Sequence, residues 1–250
     1  MGFADADLTR DAFLGGRVMA WQPIAGYRAA TDPVLLAAAV EARAGQSVLE
    51  LGCGVGVASL CLAARVPGVV LTGVERNPDY AELARRNAGT TMQVVTADLA
   101  HLPAALRQQS YDHVIANPPY FPPGGGTPAR DAGREGALRE ETPLEQWTGT
   151  AARRLKPRGW LTMIHDARRA PQILAALMPD FGAIALRPLT PRAGRAATRV
   201  LIRARKGAGT PFALLDPLIL HDGPAHTGDG DDFTDGTRAV LRDGAAIGWT

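Results

Sequence analysis

Between residues 47 and 205 strand-like and helix-like stretches alternate, and that rhythm constrains the fold more than any other property of the chain. Short runs rich in apolar and β-branched residues fall at 47–51, 69–74, 93–96, 111–116, 160–165, 184–189 and 198–203. Helical patterns occupy 56–65, 79–88, 143–155 and 171–178 between them, and a further one covers 32–44 ahead of the first strand. Strands joined through helices pair in parallel and leave both faces of their sheet to be covered. The pattern therefore predicts an α/β fold with a Rossmann-like, seven-stranded, mostly parallel sheet and helices on both faces. Only 190–197 joins the last two strands, too few residues for a helical crossover, so one antiparallel strand is expected there. Asn77-Pro78 and Thr142-Pro143 place a proline in the first turn of the helix that follows, and Thr31-Asp32 reads as an N-cap.

The 250 residues suit one domain with an N-terminal extension (1–45), a Rossmann-like core (46–206) and a C-terminal tail (207–250). Gly223 to Asp235 is rich in Gly and Asp and reads as a loop within that tail. Formal charge is only +2, from 27 basic and 25 acidic side chains, so bulk electrostatics do not announce nucleic acid. Two cysteines, Cys53 and Cys61, lack metal-ligand spacing and form no disulfide framework, which favours a reducing compartment. The acidic opening MGFADADLTR has no apolar leader core, and no apolar run approaches a membrane span. A cytoplasmic protein that takes no metal and meets no membrane is expected. His165-Asp166 and His221-Asp222 belong to no ligand cluster, and no Ser/His/Asp set at motif spacing supports hydrolysis.

The chemistry sits at strand ends. Glu50-Leu51-Gly52-Cys53-Gly54-Val55-Gly56 follows the first strand and opens a helix, where bare backbone lets a ligand approach closely. A dinucleotide fingerprint wants a small residue at the sixth position after its first glycine, and Val57 stands there. Glu50 would repel a pyrophosphate but suits a ligand bearing an ammonium and a sulfonium. Glu75 ends the next strand, where a carboxylate can accept two ribose hydroxyls. Asp98 follows the third strand and can accept from an adenine amine, a helix cap being an equal reading.

Asn117-Pro118-Pro119-Tyr120 follows the fourth strand. Asn117 offers an amide oxygen, Pro118 a carbonyl in a restricted backbone, and Tyr120 an aromatic face. These are the parts needed to hold a planar amine and draw its lone pair out of conjugation. Asn-Pro and Pro-Pro also mark turns, so the tetrapeptide alone leaves both readings open.

Taken together, Glu50, Gly52–Gly56, Glu75, Asp98 and Asn117–Tyr120 resemble the motifs of class I S-adenosylmethionine-dependent methyltransferases, across roughly residues 31 to 206. The segment Gln22-Pro-x-x-Gly-Tyr-Arg28-x-x-Thr31-Asp32 is similar to the N-terminal signature of bacterial tRNA(Val) adenine-N6 methyltransferases. The resemblance implies S-adenosylmethionine as cofactor. It implies that Arg28, Thr31, Asp32, Glu50, Gly52, Cys53, Gly54, Gly56, Glu75, Asp98, Leu99 and Asn117 bind that cofactor, with Arg28, Thr31 and Asp32 at its methionine end. Asn117, Pro118 and Tyr120 are then catalytic, with Tyr120 stacking on the displaced base. The implied substrate is tRNA, methylated on the N6 amine of the adenine following the anticodon.

Phosphate contacts would come from Arg130, Arg134 and Arg139 in the Gly/Pro-rich stretch after the tetrapeptide, and from Arg192 and Arg195 between the last strands. Arg153 and Arg154 read as surface charge. The same tetrapeptide chemistry fits an rRNA guanine-N2 methyltransferase or a protein glutamine methyltransferase. A catalytically silent RNA-binding scaffold would not need all these acids, glycines and the tetrapeptide intact.

Overall fold

The structure, a computed structural model, describes residues 2–120, 142–226 and 231–250. Its centre is a nine-stranded sheet built from β3 (Ser47–Leu51), β4 (Val70–Glu75), β5 (Met92–Thr96), β6 (Tyr111–Ala116), β7 (Leu155–Asp166), β8 (Phe181–Thr190), β9 (Arg199–Lys206), β10 (Ala213–Leu214) and β11 (Leu218–Ile219). Strand order is β10-β8-β9-β7-β6-β3-β4-β5, with β11 also pairing β8. Only β9 runs against the rest, antiparallel to both β7 and β8. The seven strands expected from the alternation are all present. The two extra ones are two-residue strands from the segment 207–250, which was expected to be a tail.

That segment returns to the core. Val240, Leu241, Ile247 and Trp249 are buried, and Trp249 donates its indole N–H to the Ala39 carbonyl at 2.8 Å. The Ile247 N–H reaches the Ala38 carbonyl at 2.9 Å. α1 (Thr31–Ala38) stops short of the expected 44, and carbonyls at and just beyond its end find tertiary partners, including the Arg65 guanidinium on those of Ala37 and Val40. The expected Thr31-Asp32 cap is not formed. Thr31 is already helical and exposed, and no side chain caps this end, because the Asp32 carboxylate is drawn to Tyr120 and Arg199 instead.

The N-terminal 45 residues hold a hairpin that the strand count overlooked, β1 (Leu8–Phe13) with β2 (Val18–Pro23). Asn87 of α3 (Pro78–Ala88) fixes it, accepting from the Trp21 N–H at 2.7 Å and donating to the Trp21 carbonyl at 3.0 Å. Helices α1, α2 (Val57–Arg65) and α3 bury their apolar sides in one core cluster. On the other face α4 (Ala104–Arg107), α5 (Leu144–Arg154) and α6 (Ala170–Leu177) contribute to a second. Asn77 caps α3 as expected, accepting from the N–H groups of Asp79 and Tyr80. A last short helix, α7 (Asp235–Arg238), precedes the buried C-terminal residues. Among the described residues no helix is long and apolar enough to cross a membrane.

β3 lies between β4 and β6, so strand order reverses beside it. In open α/β sheets such a reversal leaves a crevice beyond the carboxyl ends of the strands. Register places Leu51 beside Val74 and Ala116, so the loops after β3, β4 and β6 meet at one level.

Candidate active site

A cleft of about 180 Å³ fills that crevice, and Glu50, Gly52, Gly54, Glu75, Asp98 and Asn117 all line it. Cys53 and Leu99 contribute to the same wall. The loop after β3 is held open by its glycines: Gly52, Gly54 and Gly56 have φ of 66°, 54° and 88°. L side chains avoid that region. A Cβ built on Gly52 would stand 2.7 Å from the ring of Trp147, which lies on this glycine from α5. Gly56 is not among the residues lining the cleft, and a Cβ there would meet Met92 at 3.0 Å and Ala84 at 3.8 Å.

Glu75 ties the loop to the next helix. Its Oε2 accepts from the Gly54 N–H at 2.9 Å and its Oε1 from the Asn77 N–H at 2.8 Å. Each oxygen keeps a second lone pair for a ligand hydroxyl. Asp98 accepts from the Ala100 N–H at 2.8 Å, so it does cap the turn after β5 while facing the cleft. The Leu99 carbonyl is held by the Thr150 hydroxyl of α5 at 3.2 Å. Glu50 is 3% exposed, and burial pushes its carboxyl up to about 7 against the lowering effect of hydrogen bonds from Ser59. Burial likewise raises the Cys53 thiol, which leaves it a neutral wall rather than a nucleophile.

A smaller cleft of about 90 Å³ adjoins the first and shares Tyr27, Pro33, Asn117 and Pro119 with it. Asp32, Pro118 and Tyr120 lie on this second cleft and not on the first. The Tyr120 hydroxyl stands 2.6 Å from Asp32 Oδ2 and 3.0 Å from Asn117 Oδ1. Arg199, at the start of β9, donates from Nε to the same Asp32 oxygen at 3.1 Å and lays its guanidinium over the Tyr120 ring at 4.5 Å. His165, at the end of β7, is tilted against that ring at 5.1 Å. Burial drives His165 down to about 4, so its ring is neutral at pH 7. Its Nδ1 accepts from the Asp166 N–H at 2.8 Å, which leaves the proton on Nε2.

Thus Glu50, Gly52, Cys53, Gly54, Glu75, Asp98, Leu99 and Asn117 converge on one cleft, and Pro118, Tyr120 and Asp32 on its neighbour. Thr31 lines neither. Arg28 lines the smaller cleft, but its guanidinium is engaged by Asp11 at 2.5 Å, Thr9 and the Pro23 carbonyl, which locks the hairpin beside the site. Arg192 is bound to Asp232 and to the carbonyls of Asp222 and Gly223, its side chain 14% exposed, whereas Arg195 is exposed in the β8–β9 turn. Arg130, Arg134 and Arg139 lie outside the described residues. Arg154 has a structural task in place of the expected surface one, donating to the carbonyls of Leu106, Arg107 and Gln109. Trp147, Arg199 and His165 belong to the site although no strand-end motif contains them. Tyr27 stands inside the N-terminal signature, and its ring approaches Gly54. Among the described residues no three His, Cys, Asp or Glu converge as metal ligands.

The fold and the two joined clefts define a class of enzyme-like α/β domain, and comparison with known proteins identifies it. The methyltransferase small domain family model matches residues 30–186, and the chain belongs to that family. It is 36% identical over 149 residues to a tRNA1(Val) (adenine(37)-N6)-methyltransferase of Porphyromonas gingivalis, a match covering 55% of this chain and 58% of that protein. The chain thus spans little more than half of that relative's length. A protein of the same name from Aeromonas hydrophila is 31% identical over 183 residues, covering 71% of this chain and 76% of the relative. Among solved structures, a predicted O-methyltransferase, Atu636 from Agrobacterium tumefaciens, superposes with a TM-score of 0.70 at 28% identity, covering 86% of this chain and 98% of its own.

Proposed function

We propose that the protein is an S-adenosylmethionine-dependent methyltransferase acting on the N6 amine of an adenine in tRNA, the adenine that follows the anticodon of tRNA(Val). The observation that carries this reading is the position of Asn117, which lines both clefts at once. A group bound in the smaller cleft and a methyl donor bound in the larger one would meet at its side chain.

The larger cleft suits the cofactor. The left-handed glycines at 52 and 54 form a cradle that any Cβ would fill, Glu75 retains acceptor capacity beside it, and Glu50 offers a buried carboxyl that a cation would help to ionise. When bound, S-adenosylmethionine supplies a methyl group made electrophilic by its sulfonium. Glu75 would hold the ribose hydroxyls, Asp98 the adenine side, and Gly52–Gly54 with Glu50 the methionine end.

An adenine amine is a weak nucleophile because its lone pair is delocalised into the ring. Asn117 Oδ1 and the Pro118 carbonyl can accept its two N–H groups, which favours a pyramidal nitrogen with the lone pair directed towards the larger cleft. The same acceptors stabilise the positive charge that develops on nitrogen. His165 is neutral, protonated on Nε2 and packed behind Tyr120, so it is not placed to take the amine proton. Binding and positioning therefore do the work, with the proton lost to water after transfer. Tyr120 has Arg199 over its ring, so its first task is to hold the site, and stacking on the displaced base would use the ring surface that Arg199 leaves.

The relatives' names support the tRNA adenine as substrate. The test is mass spectrometry of tRNA nucleosides from cells lacking the gene. Loss of N6-methyladenosine is expected. Unchanged N6-methyladenosine, with a deficit in N2-methylguanosine of rRNA or in methylated glutamine of a protein, would assign the tetrapeptide to another amine.

A further inference from the structure

We infer that Asp32 is a positioning residue: by accepting the hydrogen bond of the Tyr120 hydroxyl, its carboxylate turns the Asn117 amide so that Oδ1 faces the amine to be methylated. The catalytic consequence rests on the amine-methyltransferase reading, while the proton arrangement itself does not.

The Tyr120 hydroxyl has one proton and two acceptors within reach, Asp32 Oδ2 at 2.6 Å and Asn117 Oδ1 at 3.0 Å. A carboxylate is a stronger acceptor than an amide oxygen and the contact is the shorter one, so the hydroxyl donates its hydrogen bond to Asp32. Arg199 reinforces that choice. Its Nε donates to the same carboxylate oxygen, which fixes that oxygen beside the phenol, and its guanidinium lies over the Tyr120 ring. Burial and the Asp32 charge both raise the Tyr120 hydroxyl above its ordinary value, so it remains a proton donor throughout.

With that proton committed, the phenol oxygen presents only lone pairs to Asn117. Two oxygens facing each other at 3.0 Å without a proton between them repel. The two ends of an amide are nearly isosteric, and the hydrogen-bond network decides which end faces a neighbour. Turning the amide over lets Nδ2 donate to the phenol oxygen and sends Oδ1 to the side away from Tyr120, on a residue that lines both clefts. The chain from carboxylate to phenol to amide then runs in one direction, each bond polarising the next. Its members come from three places in the sequence: the start of α1, the residues after β6 and the start of β9. Asp32 lines the smaller cleft and not the larger one.

Two measurements test the inference. Neutron diffraction from crystals of the whole protein should show the Tyr120 deuteron on the line to Asp32 and the Asn117 amide deuterons towards the Tyr120 oxygen. A deuteron between Tyr120 and Asn117 would overturn the proposal, whatever the substrate proves to be. The second measurement is turnover of tRNA at saturating cofactor. In Asp32→Asn the new acceptor is no stronger than the Asn117 oxygen, so the preference disappears. Its kcat should fall by roughly a hundredfold to a thousandfold, as when one preorganised hydrogen-bonding group is lost from an active site. Cofactor Kd should stay within about twofold. Tyr120→Phe should fall comparably, and the double variant should be no slower than the slower single one, because both act through one proton. Multiplying losses, or a Kd effect that accounts for the whole Asp32→Asn loss, would overturn it. A wild-type protein inactive on tRNA but with the expected deuteron positions would refute only the substrate reading.

Discussion

Glu50 Oε2 accepts two hydrogen bonds from Ser59, one from its backbone N–H at 3.1 Å and one from its hydroxyl at 2.5 Å. The carboxyl that ends β3 is therefore anchored to α2 beneath the glycine loop, in a place where burial still opposes its ionisation. This arrangement has a cost that depends on pH. A carboxyl whose pKa rises on folding, here from 4.5 to about 7, binds more protons folded than unfolded between those values. Stability then falls as pH rises through that window. Glu50→Gln lacks the titration, so the stability difference between variant and wild type should move in the variant's favour by on the order of 3 kcal/mol between pH 4 and pH 8. Denaturant titrations at both pH values check this, and parallel profiles for the two proteins would contradict it.

The same group predicts a pH dependence of binding. A cationic ligand in the larger cleft favours the ionised form of Glu50, so its binding releases a proton and tightens as pH rises from 6 to 8. Calorimetry of S-adenosylmethionine in buffers of different ionisation enthalpy would register the proton. Its absence would place the ligand's charge elsewhere.

Gly52 is held at a φ of 66° with Trp147 where a Cβ would go. Gly52→Ala combines about 1–2 kcal/mol of left-handed strain with about 1–3 kcal/mol of overpacking. A loss of roughly 2–5 kcal/mol in stability, and of cofactor binding with it, is expected. In a Trp147→Ala background the overpacking part should vanish while the strain persists. Thermodynamic additivity of the two substitutions would refute the contact.

Trp249 is 6% exposed and donates to the Ala39 carbonyl. Trp249→Ala should cost about 3–5 kcal/mol, as large-to-small changes in a core do. Removing 207–250 should prevent folding. A stable truncated protein would contradict a part for that segment in the core.

Much of the architecture was legible before any coordinates because local signals agreed with it. Tyr111–Ala116 ends in a buried Val-Ile-Ala run with the tetrapeptide directly after it, and Asn77-Pro78 starts α3 with the expected cap. The hairpin β1–β2 was not, since its alternation is broken by charges such as Arg10 and Asp11 that solvent and Arg28 satisfy only in three dimensions. Nor was the burial of Trp249, which depends on a carbonyl 210 residues away. In the site, glycines and acids at strand ends announced themselves by spacing. Trp147 and Arg199 reach it from a helix interior and an antiparallel strand, where nothing local marks a residue as functional. Arg192 shows the converse: a basic residue in a basic stretch that is consumed by Asp232 within the protein.

Asn117→Ala removes the amide among the side chains that line both clefts. Methyl transfer should fall below detection while cofactor Kd changes less than about threefold, since Asn117 acts on the acceptor. Retained transfer would remove Asn117 from the chemistry.

The central claim, that the paired clefts methylate the adenine following the anticodon of tRNA(Val), is tested most directly with purified protein, labelled cofactor and an unmodified tRNA(Val) transcript. The account predicts one N6-methyladenosine per transcript, located at that adenine, and no label when guanine replaces it. Label at another nucleotide, or none in either transcript from a protein that binds the cofactor, would contradict it.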